Sequence, residues 1–160
     1  MSRKSLAALT LGLAGACAAP VDPTLVGLPP AKGPARLDAT ALEQINLARN
    51  SAGLPVLRFD PLVGEAALAH SADMAINGFM GHPGSDGALS GDRLTRAGYD
   101  WCFAAENVAH GYGDAEGVVA GWMGSPGHRD NILSDARVAA VARAGPDAAS
   151  YWTAVFAAPC

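Results

Sequence analysis

His82, Glu106, Ser125 and His128 are the side chains in this sequence whose types and spacing could do chemistry. Each sits in or beside a glycine-rich or turn-like stretch: Gly78-Phe79-Met80-Gly81-His82, Ala105-Glu106-Asn107-Val108-Ala109 and Gly121-Trp122-Met123-Gly124-Ser125-Pro126-Gly127-His128. Polar groups on such segments can converge on a cleft instead of disappearing into a core. Neutral imidazoles with a carboxylate suit a zinc-like divalent cation that keeps one position open for water, which makes His82 and His128 the candidate metal ligands. The alternative is nucleophilic chemistry, with Ser125 attacking, His128 as base and Glu106 orienting it. Glu106 lies in an otherwise apolar segment, so a buried carboxylate there must be paired or hydrogen-bonded. Asn131 is expected to hydrogen-bond backbone near the site, and Arg93 to pair with a carboxylate. His70, mid-helix among alanines, reads as structural, and His110, before Gly111-Tyr112-Gly113, as surface loop.

The elements that must carry these residues follow from caps and periodicity. Thr40 and Glu43 predict a capping box, with Leu42, Ile45 and Ala48 or Arg49 at helical spacing and Ala52-Gly53 as the stop. Asp60-Pro61 predicts a second helix start, with Leu62, Ala66, Ala69 and Met74 on its buried side and Asn77-Gly78 closing it. Ser90 is expected to cap a short helix around 92–97, and Asp114 one that carries Val118, Val119 and Trp122. Ser125-Pro126 repeats the cap-then-proline pattern, so Ser125 is read first as an N-cap, with a helical turn beginning at Gly127 or His128. Strand signals come late. Val138–Ala144 and Tyr151–Phe156, separated by Gly145-Pro146-Asp147, predict a hairpin, and 106–109 a further strand. Trp122, Trp152 and Phe156 are expected in the core. Helices first and strands later place the chain in the α+β class.

At 160 residues, half of them apolar, the chain suits one domain of ordinary size. The formal net charge is -4, and Lys4 and Lys32 are its only lysines, so nucleic acid is not an expected partner. Arg3 and Lys4 followed by an apolar run over 6–16 read as an export signal, too short for a membrane span. The residues before Cys17 fit either ordinary secretion or a lipoprotein signal with lipidated Cys17. Residues 17–37, rich in proline, read as a tether, and 38–160 as the domain. Three cysteines in an exported chain leave Cys17 for lipidation once Cys102 and Cys160 pair as a disulfide. The protein is therefore expected outside the cytoplasm, as a monomer, touching a membrane only through Cys17.

Several ordered motifs resemble one family. Ala69-His70-Ser71-x-x-Met74, Gly81-His82, Glu106-Asn107-Val108-Ala109 and Trp122-Met-x-Ser125-Pro-Gly-His128-Arg-x-Asn131-Ile-Leu look like the CAP superfamily of cysteine-rich secretory, antigen 5 and pathogenesis-related proteins, nearest its bacterial SCP-like branch. The resemblance spans about residues 40–158. It implies an α-β-α sandwich with a small central antiparallel sheet between helical layers. It also implies an open cleft where relatives carry two histidines and two acids that can hold zinc or another divalent cation. His82 and His128 match the histidines and Glu106 one acid, but Ser125 stands where the second acid falls. Relatives are variously linked to lipid or sterol binding, surface interactions and proteolysis. With the tetrad incomplete, a non-catalytic module binding a small or lipidic ligand at His82, Glu106, Ser125, His128 and Asn131 is favoured over a hydrolase or a cell-wall adhesion module.

Overall fold

The computed structural model describes residues 33–160, so the export signal and Cys17 lie outside the described residues. The elements run β1 (Arg36–Leu37), α1 (Ala39–Ser51), β2 (Arg58–Phe59), α2 (Pro61–Asn77), α3 (Ser90–Arg96), β3 (Trp101–His110), α4 (Ala115–Gly124), α5 (Pro126–Ile132), β4 (Val138–Ala144) and β5 (Tyr151–Pro159). The last two residues of the stretch read as tether, Arg36 and Leu37, belong to the sheet as β1.

Caps explain most of the boundaries. Asp60 accepts from the amides of Leu62 and Val63 at the start of α2, and Gly78 ends that helix in the left-handed region at φ 67°, which a side chain would disfavour. Asp114 caps α4 through the Gly117 amide. Three expected caps are corrected. Asp38, not Thr40, caps α1, because its carboxylate reaches the Ala41 amide at 3.0 Å. Ser90 lies inside α3, where Asp92 accepts from the Leu89 amide at 2.9 Å instead. Ser125 has the extended backbone of an N-cap before α5, but its hydroxyl makes no capping hydrogen bond.

The sheet order is β1-β4-β5-β3, antiparallel along that path. β2 adds to the same edge of β4 as β1 but runs parallel to it, pairing Arg58 with Val138. The predicted hairpin forms β4 and β5, closed by a 3-10 turn over Asp147–Ala149. The strand expected at 106–109 is longer and forms the far edge as β3.

Alternation along β4 and β5 divides the core in two. Ala139, Val141, Trp152, Ala154 and Phe156 pack with Ala41 and Ile45 of α1, Val118 and Trp122 of α4 and Ile132 of α5. Val138, Ala140, Ala142, Val155 and Ala157 pack with Val63, Ala66 and Ala67 of α2 and Leu94 of α3. Because both faces are covered, both strands read as unbroken apolar runs. The result is the expected α+β sandwich, α1, α4 and α5 on one side and α2 and α3 on the other. Within α2 the buried stripe takes in Val63, Ala67, His70 and Ser71, while Ala69 is exposed. Ser71 Oγ donates to the Ala142 carbonyl at 3.1 Å and meets Thr153 Oγ1 at 3.0 Å, so two hydroxyls buried in the sheet–helix contact satisfy each other. Cys102, near the start of β3, is disulfide-bonded to Cys160, the residue after β5.

Candidate functional site

An edge strand is where the two layers of a sandwich meet around one rim, and β3 is such a strand. Successive side chains point to opposite faces. Glu106 and Val108 therefore face the α2–α3 layer, and Asn107 faces the α5 layer. The outer-edge carbonyls of Glu106 and Val108 are taken by side chains instead of a neighbouring strand. Asn131 Nδ2 donates to the first at 3.1 Å and Trp122 Nε1 to the second at 3.3 Å. These bonds close part of an edge that would otherwise invite another strand.

Glu106 is the centre of the polar cluster and is 5% exposed. Arg93 Nη2, from α3, donates to its Oε2 at 2.6 Å. His82 Nδ1, from the loop after α2, contacts Oε1 at 3.0 Å. His70 Nε2, from α2, lies 3.7 Å from the same oxygen. Burial pushes the Glu106 carboxyl up, but the His82 hydrogen bond, the adjacent His70 ring and the charge and hydrogen bond of Arg93 outweigh it, so the group sits below the usual carboxylate range. Arg93 also donates to the carbonyls of Ala88 and His82, which fixes the His82 loop against α3. Arg93 thus pairs with a carboxylate as expected, and that carboxylate is the candidate site's own.

The three histidines differ. His70 is fully buried and donates from Nε2 to the Gly81 carbonyl at 2.8 Å, and burial holds its pKa down, so the ring is structural and neutral. His82 is half exposed, and its hydrogen bond to Glu106 raises its pKa against the smaller opposing effect of burial. With Nδ1 on Glu106, Nε2 has no partner among the described residues. His128, at the start of α5, is lowered by burial and then by the nearby charge of His82, which keeps it neutral. The α5 backbone is tied to β3 through Asn107 Nδ2, which donates to the His128 carbonyl at 2.9 Å, and Asn131 Nδ2, which donates to Asn107 Oδ1 at 2.9 Å. So His82 comes from one layer, His128 from the other, and Glu106 from the strand between them.

Two expectations change in this geometry. The Ser-His-Glu arrangement is not assembled: Ser125 Oγ makes no hydrogen bond to His128 among the described residues, and Glu106 orients His82 instead. His110 is not in a surface loop but at the end of β3, with its ring centroid 4.3 Å from that of Tyr151. Sequence reasoning missed that His70 and Arg93 converge on Glu106, and that Asn107 bridges to α5. No local spacing signals those meetings, since Arg93 and Glu106 stand 13 residues apart. The donor set also falls short of a zinc centre with three protein ligands. Among the described residues His82 Nε2 and the His128 ring have no hydrogen-bond partner, but both Glu106 oxygens are engaged, and no three His, Cys, Asp or Glu side chains group to hold a metal ion.

The sequence profile of the cysteine-rich secretory protein family, CAP, matches residues 42–156. An uncharacterized membrane protein of Bacillus subtilis, YlbC, is 36% identical over 93 residues, which are 58% of this chain and 27% of that protein. The uncharacterized Bacillus subtilis protein YkwD is 34% identical over 93 residues, 58% of this chain and 36% of that protein. The chain thus spans well under half the length of these curated relatives. Among solved structures, an extracellular protein containing an SCP domain from Bacillus anthracis superposes with a TM-score of 0.68 at 29% identity, covering 74% of this chain and 39% of that one. An outer surface protein from Borrelia burgdorferi shares the fold, with a TM-score of 0.69 at 20% identity over 76% of this chain and 92% of that one.

Proposed function

This chain belongs to the cysteine-rich secretory protein family, CAP, and from that membership we propose that it is an exported, non-catalytic binding module of a bacterial cell envelope. Its cleft at His82, Glu106 and His128 takes a small or lipidic ligand, and Cys17 carries the lipid anchor. The observation that carries the reading is the state of Glu106. A carboxylate ion-paired to Arg93 at 2.6 Å, hydrogen-bonded by His82 and held below its usual pKa is a poor general base and a poor metal ligand. Its work is to fix His82, leaving Nε2 free to hydrogen-bond a ligand beside the neutral ring of His128. Ser125, three residues before His128 and with no side-chain capping hydrogen bond among the described residues, is the hydroxyl proposed to join them. Extracellular and outer-surface relatives support a place outside the cytoplasm, and among the described residues no helix is long and apolar enough to cross a membrane.

A divalent ion in this cleft would rest on two imidazoles and solvent, which is weak ligation. Zinc titration by calorimetry is expected to give small heats that fall in both His82→Ala and His128→Ala. Identical negligible heats in all three proteins would remove the ion and leave the ligand reading. Tight one-to-one zinc binding, or peptide hydrolysis that disappears in Glu106→Gln, would overturn the non-catalytic reading.

A further inference from the structure

The end of the molecule where α1, β2 and the start of β4 meet carries a charge pattern opposite to that of the chain. A cavity of about 670 Å³ opens there, against about 290 Å³ for the one beside His70 and Arg93. Arg49, Arg58 and Arg137 line it with one acid, Asp135, and Leu54, Pro55 and Val56 form an apolar wall. Three arginines thus line the cavity with one acid in a protein whose formal net charge is -4.

Arg49 makes the cavity unusual. It lies in the last turn of α1, 2% exposed, with no carboxylate within ion-pair distance among the described residues. Its Nε donates to the Pro55 carbonyl at 2.8 Å, and Nη1 donates to the carbonyls of Ile132 at 2.7 Å and Ser134 at 2.8 Å. Neutral carbonyls orient the fork but do not neutralise it, and a buried charge without a counter-ion is costly. Burial accordingly pulls the Arg49 pKa down, and Asp135 offsets this only at longer range. At the mouth, Arg58 of β2 and Arg137 before β4 are held side by side because the Arg58 amide donates to the Arg137 carbonyl at 3.2 Å. Both side chains are exposed, and neither has a hydrogen-bond or ion-pair partner among the described residues.

We propose that this cavity is a second binding site, separate from the histidine cleft, for a ligand bearing a phosphate group. A tetrahedral phosphate offers several oxygens in different directions, which suits guanidinium forks arriving from three segments better than a planar carboxylate does. The phosphate supplies the counter-charge that Arg49 lacks, and Arg58 and Arg137 close on it from the rim. The ligand is either a soluble phosphate compound or the phosphate of a lipid headgroup.

The test uses the full chain carrying Cys17→Ser, so that no acyl group intervenes. Inorganic phosphate is titrated at ionic strength held constant with chloride, and backbone amide shifts are followed by NMR. Saturable shifts are expected over 54–58 and 134–137. Affinity should fall about tenfold in Arg58→Gln and in Arg137→Gln and rise in Asp135→Asn. All three cavity variants alter exposed side chains, so folding is preserved. Sedimentation with phosphatidylglycerol vesicles beyond that with phosphatidylcholine vesicles, lost in the arginine variants, assigns the phosphate to a lipid headgroup. Phosphate binding without that excess assigns it to a soluble ligand. Absence of saturable shifts in these segments, or equal affinity in the Arg58→Gln, Arg137→Gln double variant, overturns the proposal.

Discussion

Around Glu106, one buried carboxylate holds a half-exposed histidine on one side and a buried guanidinium on the other, and the two contacts differ in kind. The His82 contact is partly wet and titrates. Its pKa is raised on folding, so its contribution is fully present below the ordinary imidazole value near 6.5 and is lost as pH rises through the folded-state value. The melting-temperature gap between the wild-type chain and His82→Ala should therefore be wider near about pH 6 than near about pH 8.5. A gap that does not change with pH would place the proton elsewhere. The Arg93 contact is dry. Arg93→Met leaves Glu106 buried with a half-exposed imidazole as its nearest partner, and breaking such a pair costs about 3–5 kcal/mol. Adding Glu106→Gln to Arg93→Met should restore part of that loss, since the orphaned charge is gone. Urea unfolding of the two single variants and the double variant measures the coupling, and strict additivity would mean that the two groups act independently.

At the scale of elements, what was legible in the sequence was what short-range chemistry controls. Asp60-Pro61, Asn77-Gly78 and Asp114 mark their helix ends because a cap and its amides lie within three residues of each other. The β4–β5 hairpin was readable from its β-branched and aromatic content. The two-residue strands β1 and β2 were not, since Arg36-Leu37 and Arg58-Phe59 become strands only by docking on β4. Asp38 displaced Thr40 as the α1 cap for a related reason: Arg143 of β4 lies 3.1 Å from the Asp38 carboxylate and steadies it where the helix begins. The site was legible as a set of residues and not as a network, because His70, Arg93 and Asn107 join it through contacts between layers. Ser125 is the instructive case, a cap by sequence whose hydroxyl caps nothing. Asp114→Ala should cost about 1 kcal/mol, the usual worth of an N-cap. Ser125→Ala should change stability by less than about 0.5 kcal/mol. A loss in Ser125→Ala as large as that in Asp114→Ala would mean that the hydroxyl caps α5 in solution. Gly91, in α3, shows the reverse kind of constraint, because a Cβ there would lie 2.5 Å from the Trp101 ring. Its missing side chain is what lets the Trp101 ring lie against that helix.

For the molecule as a whole, the central sheet is covered on both faces while its long outer strand, β3, stays an edge, and that asymmetry decides where a site can form. Alanines at 139, 140, 142 and 144 let helices approach both faces of β4 closely, so there is no room for a cleft in the middle of the sheet. The rim of β3 remains, and it is held from one direction by β5. The Cys102–Cys160 bridge fastens these two strands at the end away from the chemistry, its cysteines 58 positions apart in sequence. In the chain-entropy account, opening a loop of that size removes about 4 kcal/mol of stability, a large share of the 5–15 kcal/mol typical of a domain. The bridge lies near the start of β3, whereas Glu106, Asn107 and their partners lie further along the strand and are fastened by Arg93, Asn131 and Trp122. Cys102→Ser with Cys160→Ser should therefore lower the urea midpoint strongly while the folded fraction keeps the raised His82 pKa, read from its imidazole shifts by NMR. If the His82 pKa instead fell back to the ordinary value in the folded double variant, the bridge would be organising the site as well as holding the fold.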